Sequence, residues 1–405
     1  MTYIKTEEQK VLRDPIHGYI RVDYKVVWDI INSAWFQRLR RIRQLGGANM
    51  VYHCAEHTRF AHSLGVYELI RRLVTEVNDI NEALNEDEKI VVMLAGLLHD
   101  IGHGPYSHAI ESITRTNHEE YTCRIVEDGT EITKILEETK KGLSKEVADV
   151  IRHKHKNKLL SQMISSQLDA DRMDYLLRDA YFTGTAYGEF DLERIFRTIR
   201  IRDNKLVIKQ SGIYAIENYI MSRYHMYLQV YCHPVSRSYE YLLHSLFVRL
   251  KDIKKNDKSI VSYLKPVLEE KVIDLDDYFE LDDFSFNYAF GRLVHHKDKI
   301  VSDLAKRLRD RHLFESVENN PSTIRKLKAK LKKAGYDTKY YLGKDEVVQR
   351  PYVPYQENNK GAIWILMNDG TTKEISNAST MVYSLIHGPT TDDNIVFFPD
   401  EILGE

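Results

Sequence analysis

The chain has 405 residues, of which 43% are hydrophobic and 29% are charged, and its formal net charge is −2. This length predicts more than one domain, and the near-neutral charge excludes a protein that binds nucleic acid through overall basicity. The longest apolar run, residues 90–98, is too short to span a bilayer, and three scattered cysteines and an N-terminus without a secretory signal predict a cytoplasmic protein with neither a disulfide framework nor a zinc motif.

The predicted elements begin with a short hairpin over residues 10–24, in which Pro15 and Gly18 are the turn residues. Residues 28–250 follow with the apolar periodicity that is typical of helices. In the segment 56–73, for example, apolar side chains recur at three- and four-residue steps. A mainly helical domain is therefore expected after the hairpin.

The segment LLHDIGHGPYSH, residues 97–108, contains three histidines and one aspartate within twelve residues. Because the Cα atoms of His99 and Asp100 are about 3.8 Å apart, both side chains can reach one cation. Imidazole and carboxylate together suit a divalent metal such as Mn, Fe or Zn. His103 and His108 add two more titratable groups. The pair alone is equally compatible with the end of a helix that carries a cationic histidine and a solvated aspartate.

Two other segments offer groups that could join this pair. Arg59 and His62 are three residues apart in a predicted helix, so their side chains share one face. The segment 165–184 has an apolar side and a second stripe of polar residues at three- and four-residue steps, namely Asp171, Asp174, Tyr175, Arg178 and Asp179. Solvated helix faces are usually rich in Lys and Glu, so this stripe indicates a functional surface.

Taken together, these segments resemble the HD-superfamily phosphohydrolases of the deoxynucleoside triphosphate triphosphohydrolase group, including the HD domain of the human SAM-and-HD-domain enzyme and its bacterial relatives. The motifs that carry the resemblance are DPIHGYI (14–20), FQRLRRIRQLGG (36–47), HTRFAHSLGV (57–66), HDIGHGPYSH (99–108), NHEEYT (117–122) and DADRMDYLLRD (169–179). The resemblance implies a mainly α fold with an HD-domain helical bundle as its core. It also implies metal-dependent hydrolysis of a deoxynucleoside triphosphate (dNTP) to the deoxynucleoside and inorganic triphosphate.

The resemblance further implies one divalent metal ion (Mn, Fe, Zn, Ni or Mg), with an additional Mg accompanying the triphosphate. The implied metal ligands are His62, His99, Asp100 and Asp171. The leaving 5′ oxygen needs a general acid, for which His108 is the candidate. His103 and His118 are expected to line the phosphate pocket. Glu111, which stands where the family often has Asp, is expected to orient one of these histidines.

Substrate contacts are implied in the same way. Gln44 and Asp179 would hold the 3′ hydroxyl, and Tyr175 would pack against the sugar and leave no room for a 2′ hydroxyl. The remaining expected contacts are Arg59, Arg172 and Arg223 with the phosphates and Tyr231 with the base. Arginine suits phosphate because its guanidinium can bind two oxygens at once. Surface ion pairs for the arginines and ordinary core packing for Tyr231 remain alternatives.

The composition changes near residue 255, which predicts a catalytic domain over residues 1–255 and a smaller α+β region over residues 256–405 that serves oligomerisation or regulation. Within the second region, residues 361–375 have the alternation of a hairpin with Asp369 and Gly370 at its turn. The C-terminal third is therefore expected to combine helices with strands.

This region is also split by charge, because residues 267–284 are acidic, residues 322–345 are basic, and residues 325–333 form a predicted cationic helix. The opposite charges could meet between subunits of a homo-oligomer (a tetramer or dimer), the basic helix could bind nucleic acid, or both faces could simply be solvated. By resemblance, a nucleotide activator (GTP or a dNTP) would bind between subunits at Lys10, Val11, Asn32, Gln37 and Arg40. Asn32 stands where the family commonly has an acidic residue, and an amide offers guanine only one acceptor.

Three classes of function remain open on the sequence. The first is the dNTP triphosphohydrolase. The second is another HD phosphohydrolase, such as a phosphodiesterase or a 3′ nuclease, which would not need Gln44, Tyr175 and Asp179 around a sugar. The third is a non-catalytic protein with this fold that binds nucleotides or nucleic acid.

Overall fold

The computed structural model describes residues 3–114, 117–255, 257, 260–269, 272–348, 361–388 and 392–403. Its strands are β1 Lys5–Asp14, β2 Gly18–Tyr24, β3 Ile199–Arg202, β4 Lys205–Lys209, β5 Glu315–Glu318, β6 Gly343–Val348, β7 Trp364–Leu366, β8 Thr372–Glu374 and β9 Asp392–Phe398. Strands β1 and β2 pair antiparallel and form the predicted N-terminal hairpin, although β1 begins earlier than residue 10.

Helices account for most of the first 253 residues. They are α1 Lys25–Asn32, α2 Ala34–Arg38, α3 Arg59–Glu76, α4 Asn78–Ala83, α5 Glu86–Leu98, α6 His108–Thr114, α7 His118–Glu127, α8 Glu131–Thr139, α9 Leu143–Ile151, α10 Lys158–Ile164, α11 Ala170–Thr183, α12 Leu192–Thr198, α13 Ile213–Met226 and α14 Pro234–Ile253. The later helices are α15 Lys265–Leu268, α16 Leu275–Phe279, α17 Asp283–Leu293, α18 Lys299–Asp310, α19 Pro321–Lys333, α20 Thr338–Tyr341, α21 Ile375–Ala378 and α22 Thr380–His387. The predicted fold class, mainly helical with a smaller C-terminal region that contains sheets, is confirmed.

The centre of the molecule is the packing of α3 between α5 and α11. Glycine determines how closely these helices approach. A Cβ atom at Gly65 of α3 would lie 1.8 Å from the Oδ1 atom of Asp174 on α11. A Cβ atom at Gly96 of α5 would lie 3.0 Å from the side chain of Ile70 on α3. The small residues therefore bring the polar stripe of α11 directly against α3.

Residues 28–250 are mainly helical, as predicted, but they also contain a strand pair that the sequence analysis did not identify. Strands β3 and β4 form a hairpin whose turn residues, Asp203 and Asn204, have φ angles of +50° and +56°. Asn and Asp tolerate this left-handed conformation better than most residues. The alternation of apolar and charged residues in IRIRDNKLVIK was the available signal, and the helical periodicity on both sides of it obscured that signal.

The C-terminal region joins this hairpin. Strand β4 pairs parallel with β7, and β7 pairs antiparallel with β8, so the predicted hairpin within 361–375 is confirmed, with Gly370 at φ +84° in its turn. One sheet, in the order β3-β4-β7-β8, thus contains strands from both sides of residue 255. The boundary between two domains at that residue stays a prediction.

A second sheet, in the order β5-β9-β6, is antiparallel and packs beside α14. The predicted cationic helix is α19, which starts four residues before the predicted residue 325. It starts there because the side chain of Asn320 accepts a hydrogen bond from the amide of Thr323 and Pro321 occupies the first turn. Within the described ranges, no helix has the length and apolar character that crossing a membrane would require.

Candidate metal centre and adjoining cavity

The four predicted metal ligands lie within one buried cluster. His62 comes from α3, His99 and Asp100 follow α5, and Asp171 comes from the first turn of α11. The Nε2 atom of His62 lies 3.1 Å from Asp171 Oδ1 and 3.6 Å from Asp100 Oδ2. The Nε2 atom of His99 lies 3.3 Å from Asp100 Oδ1 and 3.6 Å from Asp171 Oδ1. Three separate segments therefore bring the four residues that the resemblance implies close together, and their role as metal ligands stays a prediction.

The two histidine rings are oriented by their other nitrogen. The Nδ1 atom of His62 lies 2.8 Å from the carboxylate of Asp174, and the Nδ1 atom of His99 lies 2.8 Å from the carbonyl oxygen of Gly96. Among the described residues, neither Nε2 atom has a hydrogen bond of acceptable geometry, although both atoms are buried. Buried polar atoms without a partner are rare in folded proteins. The cluster could therefore hold a divalent metal, and its ligand types do not select one metal ion.

Asp174 supports His62 in a network that the sequence analysis did not assign. Besides His62, its carboxylate accepts from Arg178 Nε at 2.9 Å and lies 2.6 Å from His17 Nε2. Arg178 in turn donates to Asp14 at 2.8 Å. Such partners fix the orientation of a metal-binding histidine. The available signals were the DPIHGYI motif and the three-residue step from Asp171 to Asp174, but neither indicated that the hairpin meets α11.

The electrostatics of the cluster favour a cation at its centre. Burial lowers the pKa of His62, but the carboxylates of Asp171 and Asp174 outweigh burial and raise that pKa to about 10. Burial also raises the pKa of Asp171, but its contacts with His62 and His99 outweigh burial and hold the pKa below its ordinary value. The cluster thus holds a proton strongly when no other cation is present, and a metal ion would take its place.

The predicted catalytic histidines border this cluster. The rings of His103 and His118 stack with their centroids 3.9 Å apart, and His103 Nε2 lies 3.4 Å from Asp100 Oδ1. Glu111 Oε1 lies 2.7 Å from His118 Nδ1, which matches the expected orienting role for a longer side chain. His108 begins α6, but its side chain lies outside the described residues. The catalytic roles of these residues stay predictions.

The loop between Asp100 and α6, residues 101–107, is held in place by hydrogen bonds from other segments of the chain. Tyr106 and Ser107 have φ angles of +56° and +51°, a conformation that non-glycine residues rarely adopt. The buried carboxylate of Asp283 accepts from the amide of Tyr106 at 2.9 Å and from that of Arg43 at 3.0 Å. Arg59 donates to Ser107 Oγ at 2.9 Å and forms an ion pair with Asp100. This loop therefore depends on α17 as well as on α3.

A fully buried arginine ties the same loop to α2. Arg38 donates from Nη1 to the carbonyl of His103 at 2.8 Å, from Nε to that of Phe279 at 3.1 Å and from Nη2 to that of Leu281 at 2.6 Å. The hydroxyl of Tyr278 donates to the carbonyl of Gly102 at 2.6 Å. Residues 278–283 thus act as an outer support for the segment that carries His103.

We call His62, His99, Asp100 and Asp171 the metal cluster. A cavity of about 640 Å³ adjoins it through Arg59, which lines the cavity and pairs with Asp100. Five of the seven predicted substrate contacts line it, namely Gln44, Arg59, Tyr175, Asp179 and Tyr231. Asp179 is buried, and its carboxylate lies 2.7 Å from His57 Nε2 and accepts from the hydroxyl of Tyr231 at 2.7 Å. Among the described residues, the buried Oε1 atom of Gln44 has no hydrogen-bond partner. The arrangement brings hydroxyl-binding groups and an aromatic ring together at one end of the cavity.

The other two predicted contacts, Arg172 and Arg223, are not among the residues that line this cavity. Arg172 donates to Asp169 at 3.0 Å and Arg223 donates to Gln167 at 2.6 Å, while the buried Nε atoms of both have no partner among the described residues. A π-helical turn over Tyr227–Tyr231 follows α13, so Arg223, Tyr227 and Tyr231, at successive intervals of four residues, do not lie on one regular α-helix. The guanidinium of Arg223 nevertheless stays 5.9 Å from the Tyr227 ring.

The predicted activator residues lie at the N-terminal end of the fold. Lys10 and Val11 belong to β1 and Asn32 ends α1. Arg40 Nε donates to Gln37 Oε1 at 2.8 Å, so these two side chains are joined. The structure contains no nucleotide that would test these residues, and their role stays a prediction.

Comparison with known proteins places these observations in a family. Residues 59–179 match the HD domain and residues 190–339 match the HD associated region. The chain is 43% identical to YwfO, an uncharacterized protein of Bacillus subtilis, over 98% of this chain and 94% of that protein.

Two further relatives bear on chemistry. A crystal structure of a phosphohydrolase from Bacteroides thetaiotaomicron superposes with a TM-score of 0.85 at 30% identity, covering 96% of this chain and all of that chain. A Dictyostelium discoideum protein named deoxynucleoside triphosphate triphosphohydrolase SAMHD1 homolog is 30% identical over 62% of this chain and 52% of that protein.

Proposed function

The chain belongs to the HD superfamily, and on that premise we propose that it hydrolyses deoxynucleoside triphosphates to deoxynucleosides and inorganic triphosphate. The observation that carries this proposal is the position of Arg59, which lines the cavity and also pairs with Asp100 of the metal cluster. The cavity end that carries Gln44, Tyr175 and Asp179 is thereby next to the cluster. The Dictyostelium relative is named for the same activity.

The residues of the chain account for binding and proton transfer in this reaction. When bound, a divalent metal supplies Lewis acidity at the attacked phosphate and lowers the pKa of a water molecule. His62, His99, Asp100 and Asp171 would hold it. His118, oriented by Glu111, and the adjacent His103 can hold or pass a proton near the phosphates. The leaving 5′ oxygen is a poor leaving group, so its protonation by His108 would contribute on the order of 10²- to 10⁴-fold.

The proposed substrate has a 3′ hydroxyl and no 2′ hydroxyl, and the cavity offers residues that would recognise such a sugar. Asp179 is fixed by His57 and Tyr231, so its carboxylate has a defined direction in which to accept from the 3′ hydroxyl. Gln44 offers the second contact, and Tyr175 offers a ring against which the deoxyribose can pack. The buried Oε1 atom of Gln44 has no partner among the described residues, and a buried acceptor that only the correct hydroxyl would satisfy discriminates strongly against analogues.

The finer assignments belong to this proposal as well. The metal is one of Mn, Fe, Zn, Ni or Mg, with a further Mg on the triphosphate. Arg172 and Arg223 would contact the phosphates through their unpartnered Nε atoms. We expect a cytoplasmic homo-oligomer that a nucleotide activates at Lys10, Val11, Asn32, Gln37 and Arg40. Activity that is equal with and without GTP or any dNTP as effector would remove the activator.

The direct test is incubation of the purified protein with each dNTP and Mn²⁺ or Mg²⁺, with and without GTP. Inorganic triphosphate and deoxynucleoside in equal amounts, measured by ³¹P NMR and chromatography, are the expected products. Asp171→Ala should abolish turnover, whereas Asp310→Ala, an exposed aspartate at the end of α18, should not. Monophosphate or pyrophosphate as product would indicate another HD phosphohydrolase. No turnover with any effector would indicate a protein that only binds nucleotides.

A further inference from the structure

The cavity extends beyond the sugar contacts to a second end that the function proposed above leaves unused. We call this the outer end. Its lining residues come from α14, from β6 and from β9, and they are Arg237, Glu240, Tyr241, His244, Lys344, Asp345 and Phe397. At about 640 Å³, the whole cavity falls in the usual range for small-molecule sites, roughly 300–1,000 Å³.

At the outer end, side-chain contacts fix β6 against α14. Arg237 of α14 donates from Nε and Nη2 to the two carboxylate oxygens of Asp345 at 2.8 and 2.9 Å. It also donates to Glu240 at 2.5 Å. A Cβ atom at Gly343 would lie 2.2 Å from the ring of Tyr241, so only glycine lets the strand approach this closely. The Tyr241 ring itself stacks on Phe397 with centroids 5.8 Å apart.

The two ends of the cavity differ in how they would attract phosphate. The inner end carries Arg59 and Asp179, whose charges cancel, but Arg59 also pairs with Asp100 of the cluster that would hold a divalent cation, and that cation would favour phosphate there. The outer end carries two cations, Arg237 and Lys344, and two carboxylates, Glu240 and Asp345. These four charges sum to zero, so the outer end offers a polyphosphate no net attraction. A neutral ring with hydrogen-bond donors and acceptors on its edge is the group that fits beside such charges and beside aromatic side chains.

We propose that the base of the nucleotide extends past Tyr231 into the outer end and that Lys344, Asp345 and Glu240 determine which base is preferred. The proposal rests on the function proposed above, because it takes the sugar to be at Tyr175 and Asp179 and the phosphates to be at the metal. Carboxylate oxygens can accept from the N–H groups of a base edge, and the lysine can donate to its ring nitrogens or carbonyl oxygens. Residues of the C-terminal sheet thereby complete a site that begins in the HD domain.

The test measures kcat and KM of the metal-loaded enzyme for the four dNTPs. Lys344→Ala and Asp345→Asn should each change the ratio of kcat/KM between the best and the worst dNTP by about tenfold, since a good contact to a base edge discriminates by about that factor. The change should appear in KM, because a contact far from the reacting phosphate acts on binding. Lys373→Ala, an exposed lysine on β8, is the matched control and should leave all four values unchanged.

Equal effects on all four dNTPs, or ratios that stay within twofold in both variants, would overturn the proposal. Lys344 is exposed, so its variant should fold even if Asp345→Asn weakens the contact of β6 with Arg237. If the wild-type protein hydrolyses no dNTP, the proposed function fails by itself. Calorimetric titration of the metal-loaded protein with each dNTP then decides the base site. Base-dependent affinity that the Lys344 variant alters would support it, and absence of binding or an unaltered ranking would overturn it.

Discussion

The two ends of the cavity are built by different means. In the metal cluster next to the inner end, His62, Asp171 and Asp174 belong to two helices that approach closely where Gly65 has no side chain. At the outer end, Arg237 meets Asp345, which is 108 residues away in sequence, through a strand of a small sheet. His62 and Asp174 are buried and have several partners each, Asp171 is partly exposed, and Lys344 is exposed.

This difference indicates how the two parts of the site would tolerate change. A buried network in which each carboxylate serves two or three partners fails as a unit when one member is lost. An exposed contact at the cavity mouth adds or removes affinity with little effect on the fold. Substitutions confined to one end should therefore change either metal binding or nucleotide preference, but not both.

The largest effect is expected from Asp174→Ala, which removes the carboxylate between His62 and Arg178. Breaking a buried ion pair costs about 3–5 kcal/mol of folding free energy, because it leaves a charge without its partner. Loss of the group that orients a metal-binding histidine lowers metal affinity by about 10- to 100-fold. Metal content and thermal unfolding measure the two effects, with Asp310→Ala as the control. A metal-replete variant of unchanged stability would contradict the role given to Asp174.

Gly65→Ala tests whether helix contact at the inner end sets the metal site. Alanine is the better helix former by about 1 kcal/mol, which alone would stabilise α3. The new methyl group, however, would collide with Asp174 and Arg178, and such overpacking costs about 1–3 kcal/mol. We therefore expect a net loss of stability and weaker metal binding, measured by thermal unfolding and by titration with Mn²⁺. Increased stability with unchanged metal affinity would show that α11 can shift freely.

Metal affinity should rise with pH. The pKa of His62, about 10 in the metal-free fold against 6.5 as the ordinary value, means that its proton stabilises that fold fully below pH 6.5 and that this contribution is lost as the pH rises through 10. A metal ion must displace the proton, so its affinity should increase by up to about tenfold per pH unit between these limits. Calorimetric titrations at pH 6.5, 7.5 and 8.5 in two buffers should show release of about one proton. Affinity that is independent of pH would contradict this coupling.

The smallest effect is expected from Gly343→Ala, the counterpart of Gly65→Ala at the outer end. The three atoms nearest to its methyl group all belong to the ring of Tyr241, which can be displaced from Phe397 at less cost than the buried carboxylate beside Gly65. We expect unchanged metal content and a change in KM for dNTPs of up to about fivefold, corresponding to about 1 kcal/mol. A loss of bound metal in this variant would show that the two ends are not separable.

The sequence allowed the inner end to be predicted because short motifs carry it. His99 and Asp100 are adjacent, the polar stripe of α11 follows helical spacing, and the family resemblance related these motifs to His62, so only two helix contacts were needed for the four predicted ligands to meet. The outer end was not predictable, since no local pattern relates Arg237 to Asp345. Asp283 was likewise missed, because an aspartate that starts a helix gives no sign that it binds two distant amides. The loss of helical regularity at the π-turn before Cys232 also has no evident sequence signal.

Arg38 makes the first 255 residues depend on the rest of the chain. It carries its charge into the interior and is satisfied partly by carbonyls of Phe279 and Leu281, which lie beyond residue 255. A fragment that ended at residue 255 would keep every residue of the HD domain match and still leave this guanidinium without two of its three acceptors. Such a fragment should expose the charge, release the carbonyl of His103 from its restraint and fail to behave as an autonomous enzyme. The region after residue 255 is therefore needed to hold the loop that carries His103.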